Sequence, residues 1–376
     1  MQPNATTLRM CSAAIAMLAA CDLPSRELGT KRERWTILEP IDYDTFFTAV
    51  AVTADDDVVV FGDFPTRAQG LLRRYDAEGE PRWATSFVGE AREEFWAYDV
   101  TVAGDGTIVA AAGGYNVSGP SKAPDKRVPV AMLFGFDAGG TQRWERIVDG
   151  AVDATAVTAL PDGSVAYGGS TIEGDGVHIG VISTAGVFGP LSRDLVGEVE
   201  YPVPRVIEIA AQSGGQLVAA VRRGGRVDFV GLDAALAPSW TRTSEKGFSD
   251  GAIAIAQDDT IWLLTRLDMR ILGGDQSGIQ NDNRLAVLAP DGTLERELEG
   301  IEPDLNPRAI AIAPDGTLVL AGSEAHDVRD YQLGIAEIDP ETGETLWFDT
   351  AGRQGSDLVP YSEDGLFDLA ITASGD

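Results

Sequence analysis

Short runs of apolar residues that alternate with small or polar residues recur along the chain, and each run leads through a turn into a second apolar run. The clearest copy, Arg308 to Gly322, reads RAIAIAPDGTLVLAG. Alternation with a period of two is typical of a β-strand with two unlike faces. Asp315-Gly316 supplies the turn chemistry that joins two antiparallel strands. Each copy therefore predicts a β-hairpin.

The hairpin occurs seven times, and the last copy stops at its turn. The copies begin at Thr48, Ala97, Ala154, Arg205, Gly251, Arg308 and Leu366. Successive turns are 44 to 59 residues apart. This spacing accommodates four short strands and their loops, which is the size of one blade of a β-propeller. The sequence thus predicts an all-β array.

A second pattern, in which an apolar strand runs into Asp, turns and continues to Trp, follows most of the hairpins. It ends at Trp83, Trp144, Trp240 and Trp347, and two copies, Val181 to Leu191 and Val287 to Leu298, lack the Trp. The repeated unit is therefore two consecutive hairpins. We expect the tryptophans to pack between neighbouring blades, because equivalent positions in every unit cannot all face one ligand. The alternative is an aromatic cage.

The copy from Ile338 to Trp347, IDPETGETLW, resembles the D-x-x-T-G-x-x-x-W repeat core of quinoprotein-like (PQQ-like) β-propellers. It departs from that family at Glu337, where the family usually has Ala. The PDGT and PDGS turns resemble the delta-60 type repeats of bacterial surface propellers. The resemblance extends from about Trp35 to the C-terminus. It implies the propeller fold, and it leaves the activity open because propellers have many activities.

We expect residues 32–376 to form a single β-propeller of four-stranded antiparallel blades. Seven first strands favour a seven-fold ring in which Arg32 to Pro40 and Leu366 to Asp376 share an incomplete closing blade, because the chain stops at the turn Ser374-Gly375. The alternative is a six-bladed ring.

The N-terminus resembles the signal peptide of a bacterial lipoprotein. The apolar stretch Met10 to Ala20 leads to Leu18-Ala19-Ala20-Cys21, which fits the lipobox. Residues 1–20 are predicted to be the signal peptide, and residues 21–31 the acylated Cys21 with a short linker. The alternatives are a first helix packed on the domain or a chance LAAC.

Acylation would leave the mature chain without a free thiol, since the other cysteine, Cys11, lies in the segment that is removed. The acyl chains of a lipoprotein give lasting attachment to a membrane. We expect a location in the cell envelope, on the inner or outer membrane, facing the periplasm or the cell surface. Asp22 resembles an inner-membrane retention signal only in enteric bacteria, so the membrane stays open.

The net charge of −30 repels phosphate backbones and anionic lipid surfaces. Nucleic acid is therefore excluded as an expected partner. The expected partner is a protein or an envelope polymer, the membrane is contacted only through the lipid anchor, and the protein is expected to be a monomer.

The sequence offers little catalytic chemistry, and we expect no enzyme activity, cofactor or metal. His178 and His326 are interpreted as strand or surface residues. The paired cysteines of alcohol-oxidising quinoproteins have no counterpart here. Asp-rich segments, namely Asp55 to Asp57, Gly174 to Gly176 and Gly273 to Asn283, lack the carboxylate spacing of an EF-hand and are interpreted mainly as turns.

Phe95, Trp96 and Tyr98 form the candidate interface, because Trp96 lies outside the repeated Trp position. A plug near the ring axis is the alternative for Trp96. Two long connections, Gly113 to Pro129 and Thr265 to Asn283, are further candidates for binding, since long loops in compact folds are often functional or disordered.

The sequence therefore predicts a membrane-anchored lipoprotein whose β-propeller binds a partner or acts as a scaffold. One alternative is a role similar to the propeller lipoprotein of the outer-membrane β-barrel assembly machinery. Another is a propeller enzyme that acts on sugars or alcohols. Carboxylates and arginines that converge on the ring axis would favour the enzyme.

Overall fold

A computed structural model describes residues 46–64, 68–89, 94–117, 127–172, 176–193, 204–245, 247–267, 283–299, 305–327, 330–351 and 368–371. Cys21, the predicted signal peptide and the segment Arg32 to Pro40 lie outside the described residues. The described residues include no helix that is both long and apolar enough to cross a membrane.

The described strands form six antiparallel sheets of four strands, and in each sheet the strands lie side by side in chain order. Sheet 1 contains β1 (Phe46–Val52), β2 (Val58–Phe64), β3 (Gln69–Tyr75) and β4 (Pro81–Phe87). Sheet 2 contains β5 (Glu94–Val102), β6 (Ile108–Val117), β7 (Arg127–Phe136) and β8 (Gln142–Val148). Sheet 3 contains β9 (Ala156–Ala159), β10 (Val165–Ser170), β11 (Val177–Ile182) and β12 (Phe188–Arg193).

The second half of the chain repeats this arrangement. Sheet 4 contains β13 (Arg205–Ala211), β14 (Leu217–Arg223), β15 (Arg226–Leu232) and β16 (Pro238–Thr243). Sheet 5 contains β17 (Phe248–Ile255), β18 (Ile261–Leu267), β19 (Asn283–Leu288) and β20 (Leu294–Glu299). Sheet 6 contains β21 (Leu305–Ile312), β22 (Leu318–Asp327), β23 (Asp330–Ile338) and β24 (Thr345–Ala351).

The fold is an all-β propeller with six four-stranded blades. Six blades is the alternative that the sequence offered. The predicted seven-fold ring is not fully confirmed, because the described part of the last hairpin, residues 368–371, is not a strand. These residues nevertheless lie between sheets 6 and 1. Leu369 and Ile371 pack against sheet 6, and a carboxylate oxygen of Asp368 accepts a hydrogen bond from the backbone of Val50 in β1.

The core lies between the sheets. One cluster of buried apolar residues is shared by each pair of consecutive sheets from 1 to 6. Between sheets 6 and 1 there are instead two separate clusters, one on each sheet. The first strands of the sheets, β1, β5, β9, β13, β17 and β21, pack against one another in succession around the axis, and we call them the inner strands.

Three of the four repeated tryptophans, Trp83, Trp144 and Trp240, pack against a turn of the next sheet, as the sequence predicts. Trp347 instead packs with Leu369 and Ile371. The indole Nε1 of Trp83 donates to the Ala138 carbonyl at 3.0 Å, and that of Trp144 donates to the Thr184 carbonyl at 2.7 Å. The Trp83 ring covers Gly140 in a turn of the next sheet, and a Cβ atom added to Gly140 would lie 2.7 Å from that ring. The turn must therefore be glycine where a Trp covers it.

Sheet 3 shows what happens where the Trp is missing. Its outer strand carries Pro190 at the equivalent position, and the turn that follows in sheet 4 carries Leu236 in place of glycine. Leu236 has φ 64°, which is costly for an L side chain. Its side chain is only 3% exposed and packs in the core shared by sheets 3 and 4. Burial of this leucine offsets the backbone strain.

Five of the six inner strands share one irregularity. The pairing register slips by one residue near the start of β1, β5, β13, β17 and β21. A β-bulge bends a strand and re-aims a side chain, and bulges are common at the rims of barrels and beside binding sites. Tyr98 is the bulged residue of β5 and Arg308 that of β21.

Candidate functional site

Four polar side chains meet at the end of the ring where the inner strands begin, and we call them the mouth cluster: Asp63, Tyr98, Asp153 and Arg205. Tyr98 is placed there by the bulge of β5, and Arg205 is the first residue of β13. Asp153 precedes β9, and Asp63 is near the end of β2, the strand antiparallel to β1. The hairpin topology therefore brings all four to the same end.

Arg205 is the centre of the mouth cluster. Its Nε lies 3.5 Å from Oδ2 of Asp153, and its guanidinium carbon lies 4.5 Å from the centroid of the Tyr98 ring. Asp153 is held in turn, because its Oδ1 accepts a hydrogen bond of 2.8 Å from the backbone of Ser170. A carboxylate on one side and an aromatic face on the other fix the direction of the guanidinium.

Burial raises the pKa of two groups in the mouth cluster. It raises the pKa of Tyr98 to about 12, an effect that the nearby Arg205 opposes. Burial also raises the pKa of Asp63 to about 7. Near neutral pH the Tyr98 phenol is therefore a hydrogen-bond donor, and Asp63 is present in both protonated and ionised forms. The mouth cluster thus combines a cation, a phenol and a carboxyl that can exchange a proton.

Three further carboxylates, which we call the axial carboxylates, face the inner strands: Asp99 on β5, Glu208 on β13 and Asp368 in the segment that follows sheet 6. Each accepts a hydrogen bond from the backbone of the next inner strand around the ring. The donors are Val157 N to Asp99 at 2.7 Å, Ile253 N to Glu208 at 2.9 Å and Val50 N to Asp368 at 3.0 Å. The axial carboxylates therefore tie neighbouring sheets together.

Burial raises the pKa of all three axial carboxylates. The pKa of Asp368 rises to about 6, and the pKa values of Asp99 and Glu208 lie well above their ordinary values. The negative charge of Asp368 raises the pKa of Asp99 and of Glu208 further. Although Asp99 and Glu208 are only half-buried and Asp368 has more contact with solvent, the surrounding ring desolvates their carboxyls.

The three residues of the predicted interface, Phe95, Trp96 and Tyr98, lie in three different environments. Phe95 is 1% exposed and packs against Phe61, Phe87 and Phe134, so it belongs to the core. Trp96 is half-buried, with its ring edge to face with Tyr115 at 5.2 Å. Tyr98 is part of the mouth cluster. An interface stays a prediction for Trp96 and Tyr98.

The other sequence candidates are packing or turn residues where they are described. His178 is buried in β11, with its ring 5.9 Å from that of Tyr167. In the turn after β1, Asp56 has φ 61° and Asp57 pairs with the Arg74 side chain at 2.7 Å. Within the described part of the chain, no group of three or more His, Cys, Asp and Glu residues is arranged to hold a metal ion.

The sequence matches no protein-family model and no curated protein. The fold, by contrast, is similar to many solved propellers. A putative 6-phosphogluconolactonase from Bacteroides uniformis has a TM-score of 0.52 at 14% identity, over 81% of this chain and 88% of that one. A protein from Lactobacillus plantarum has a TM-score of 0.51 at 15% identity, over 84% and 85%.

The WD40 domain of Pan2 from Neurospora crassa is similar with a TM-score of 0.50 at 10% identity, over 82% of this chain and 81% of that one. At such identities the likeness shows the fold alone. The chain is therefore a β-propeller, and its resemblance to PQQ-like and delta-60 repeats stays a prediction.

Asp63→Asn is expected to reduce the change in the free energy of unfolding with pH. Because the pKa of Asp63 is about 7 in the folded protein and near 4 in an unfolded chain, the folded state binds the proton more tightly. The contribution of Asp63 to the free energy of unfolding is then greatest below about pH 4. It falls by roughly 2–4 kcal/mol as the pH rises to about 7. Asn removes that loss.

The measurement is thermal or urea unfolding from about pH 5 to about pH 8, where the parent carries this slope and the variant carries less of it. Asp162→Asn is the control, because the Ser164 side chain and backbone hold the pKa of this exposed turn carboxyl below its ordinary value. Parallel pH profiles for the parent and Asp63→Asn would contradict the prediction.

Proposed function

We propose that the protein is a lipid-anchored binding module of the cell envelope and that the mouth cluster contacts its ligand. The observation that carries the proposal is the arrangement of Arg205 between Asp153 and Tyr98. Ligand sites in proteins combine apolar or aromatic surface with a few fixed polar groups. The mouth cluster has this composition.

The net charge of the protein restricts which chemical groups a ligand can carry. The chain carries −30 overall, so an anionic partner is repelled by most of the surface. Arg205 is paired with Asp153, so its other N–H groups and the phenol of Tyr98 can donate to uncharged hydroxyl or carbonyl oxygens. We propose a ligand rich in such oxygens, carried by a protein or an envelope polymer.

The binding proposal is tested with detergent-solubilised membranes. The parent protein, Arg205→Ala and Arg143→Ala are used as baits. Arg143 is the matched control, since it is an exposed arginine on the outer strand β8 that pairs with Asp137. A partner retained by the parent and by Arg143→Ala but lost by Arg205→Ala supports the proposal. Equal recovery by all three baits overturns it.

The anchor is tested separately. Cys21→Ala is expected to remain unprocessed or to become soluble, whereas the parent partitions into the detergent phase, because acyl chains on Cys21 supply the membrane affinity. Phase partitioning and the mass of the N-terminal peptide measure the two properties. Equal partitioning of the parent and Cys21→Ala would exclude lipidation at this residue.

The second candidate is a propeller enzyme that acts on sugars or alcohols. Carboxylates and an arginine do converge near the ring axis, and the Asp63 pKa of about 7 suits proton transfer near neutral pH. Binding remains the first candidate because the axial carboxylates already accept backbone hydrogen bonds. Turnover of sugar lactones or alcohols that is lost in Asp63→Asn would favour the enzyme.

A further inference from the structure

Residues 368–371 join two sheets that otherwise have separate cores. On one side Leu369 and Ile371 pack with Ala313, Val319, Ile335 and Trp347 of sheet 6 or its turn. On the other side Oδ2 of Asp368 accepts the hydrogen bond from Val50 N at 3.0 Å. We call residues 368–371 the bridging segment. The carboxylate of Asp368 is its described polar contact with sheet 1.

The position of Asp368 in the repeat is the same as that of Asp99 and Glu208. In the repeats, Asp368 precedes Leu369 as Asp99 precedes Val100 and Glu208 precedes Ile209. Each of these carboxylates accepts from the inner strand that follows it around the ring. Asp368 therefore uses the same bond to hold sheet 1 that the other two use within the ring.

The groups that act on Asp368 are mostly of its own sign. Asp99 on β5 and Glu208 on β13 interact with it electrostatically, and Glu208 also interacts with Asp250 on β17. Asp250 is itself paired with Arg266. The inner strands carry three further charged residues near their starts, namely Glu94 on β5, Arg205 on β13 and Arg308 on β21.

Neither β1 nor β9 contains a charged residue, and the residues of sheet 6 that pack on the bridging segment are apolar.

We propose that the bridging segment is a proton-sensitive latch, which holds sheet 6 to sheet 1 when the axial carboxylates are protonated and loosens when they ionise. Ionisation places like charges on Asp99, Glu208 and Asp368, and loosening relieves their repulsion by moving Asp368 away from the other two. A protonated carboxyl still offers its carbonyl oxygen to Val50 N, so the bond survives protonation.

The direction of the pH effect follows from linkage. The pKa of Asp368 is about 6 in the latched state and returns toward its ordinary value of 3.8 when the segment opens. The latched state therefore binds the proton more tightly, and opening increases as the pH rises from about 4 to about 6. Since Asp368 keeps contact with solvent, we expect about a tenfold increase in opening rather than the full linkage value.

Hydrogen exchange of the backbone amides of Val50 and Leu369 tests the latch. In the full-length protein, protection factors corrected for the intrinsic rate are compared at about pH 4 and about pH 7.5, and the expected loss at the higher pH is about tenfold. Asp368→Asn is expected to keep high protection at both pH values, because its amide oxygen accepts the same bond and carries no charge. Asp162→Asn is expected to behave as the parent.

Asp99→Asn is the second variant, and it remains informative if Asp368→Asn does not fold. Removing the charge of Asp99 is expected to reduce the loss of protection at Val50, because it removes one of the charges that repel an ionised Asp368. The latch is overturned if protection at Val50 is the same at both pH values in the parent. It is also overturned if Asp99→Asn retains the pH dependence of the parent unchanged.

Discussion

Trp144→Ala is expected to lower the free energy of unfolding by about 3–5 kcal/mol, because it empties a tightly packed site and removes a hydrogen bond between two sheets. Trp144 is 8% exposed, and its ring lies over Gly135 of its own sheet and the turn Gly186 of the next. Its Nε1 donates to the Thr184 carbonyl. Urea unfolding of the parent and the variant measures the loss.

Two variants separate the parts of this effect. Trp144→Phe keeps an aromatic ring and removes the donor, so it is expected to cost less than Trp144→Ala. Trp96→Ala is the comparison at a half-buried Trp outside the repeat, and it is expected to cost clearly less. A larger loss for Trp96→Ala than for Trp144→Ala would show that the repeated Trp does not stabilise the contact between sheets.

The repeat made most of the fold predictable, because period and turn chemistry are local properties. Ile310 and Ile312, two residues apart in β21, both pack in the core shared by sheets 5 and 6, and the turn at Gly316 has the positive φ expected of its glycine, 87°. Three of the four repeated tryptophans lie between consecutive sheets, as predicted from their equivalence.

The blade count was harder to predict, since it depends on contacts between distant parts of the chain. Leu369 continues the repeat pattern, yet only the structure shows that it packs on sheet 6.

The mouth cluster could not be predicted from the sequence. Arg205 and Asp153 lie in neighbouring repeats, and nothing in their local pattern indicates that they meet above Tyr98. The bulge that places Tyr98 is likewise invisible in a pattern of period two. A weak signal did exist for the axial carboxylates: Asp99 and Glu208 stand at a repeat position that holds alanine in most copies, such as Ala309.

The carboxylates at this repeat position indicate a site near the ring axis only when the seven copies are aligned residue by residue. Phe95 is the member of the predicted interface that the structure removes, because its side chain is 1% exposed and belongs to the core.

Gly135→Ala is expected to destabilise the parent protein by about 1–3 kcal/mol, and to cost much less in a protein that already carries Trp144→Ala. A Cβ on Gly135 would lie 2.1 Å from the Trp144 ring, a distance that forces the indole out of its site. Gly135 is not among the glycines with positive φ, so the added methyl group acts through this contact rather than through backbone strain.

Unfolding free energies of the parent, both single variants and the double variant complete the cycle. We expect a coupling energy of about 0.5–3 kcal/mol between the two sites. Gly189→Ala in sheet 3 is the control, since a Cβ there would lie at least 3.5 Å from its neighbours and that outer strand lacks the Trp. Strict additivity of Gly135→Ala and Trp144→Ala would mean that the close approach of indole and backbone does not limit residue 135 to glycine.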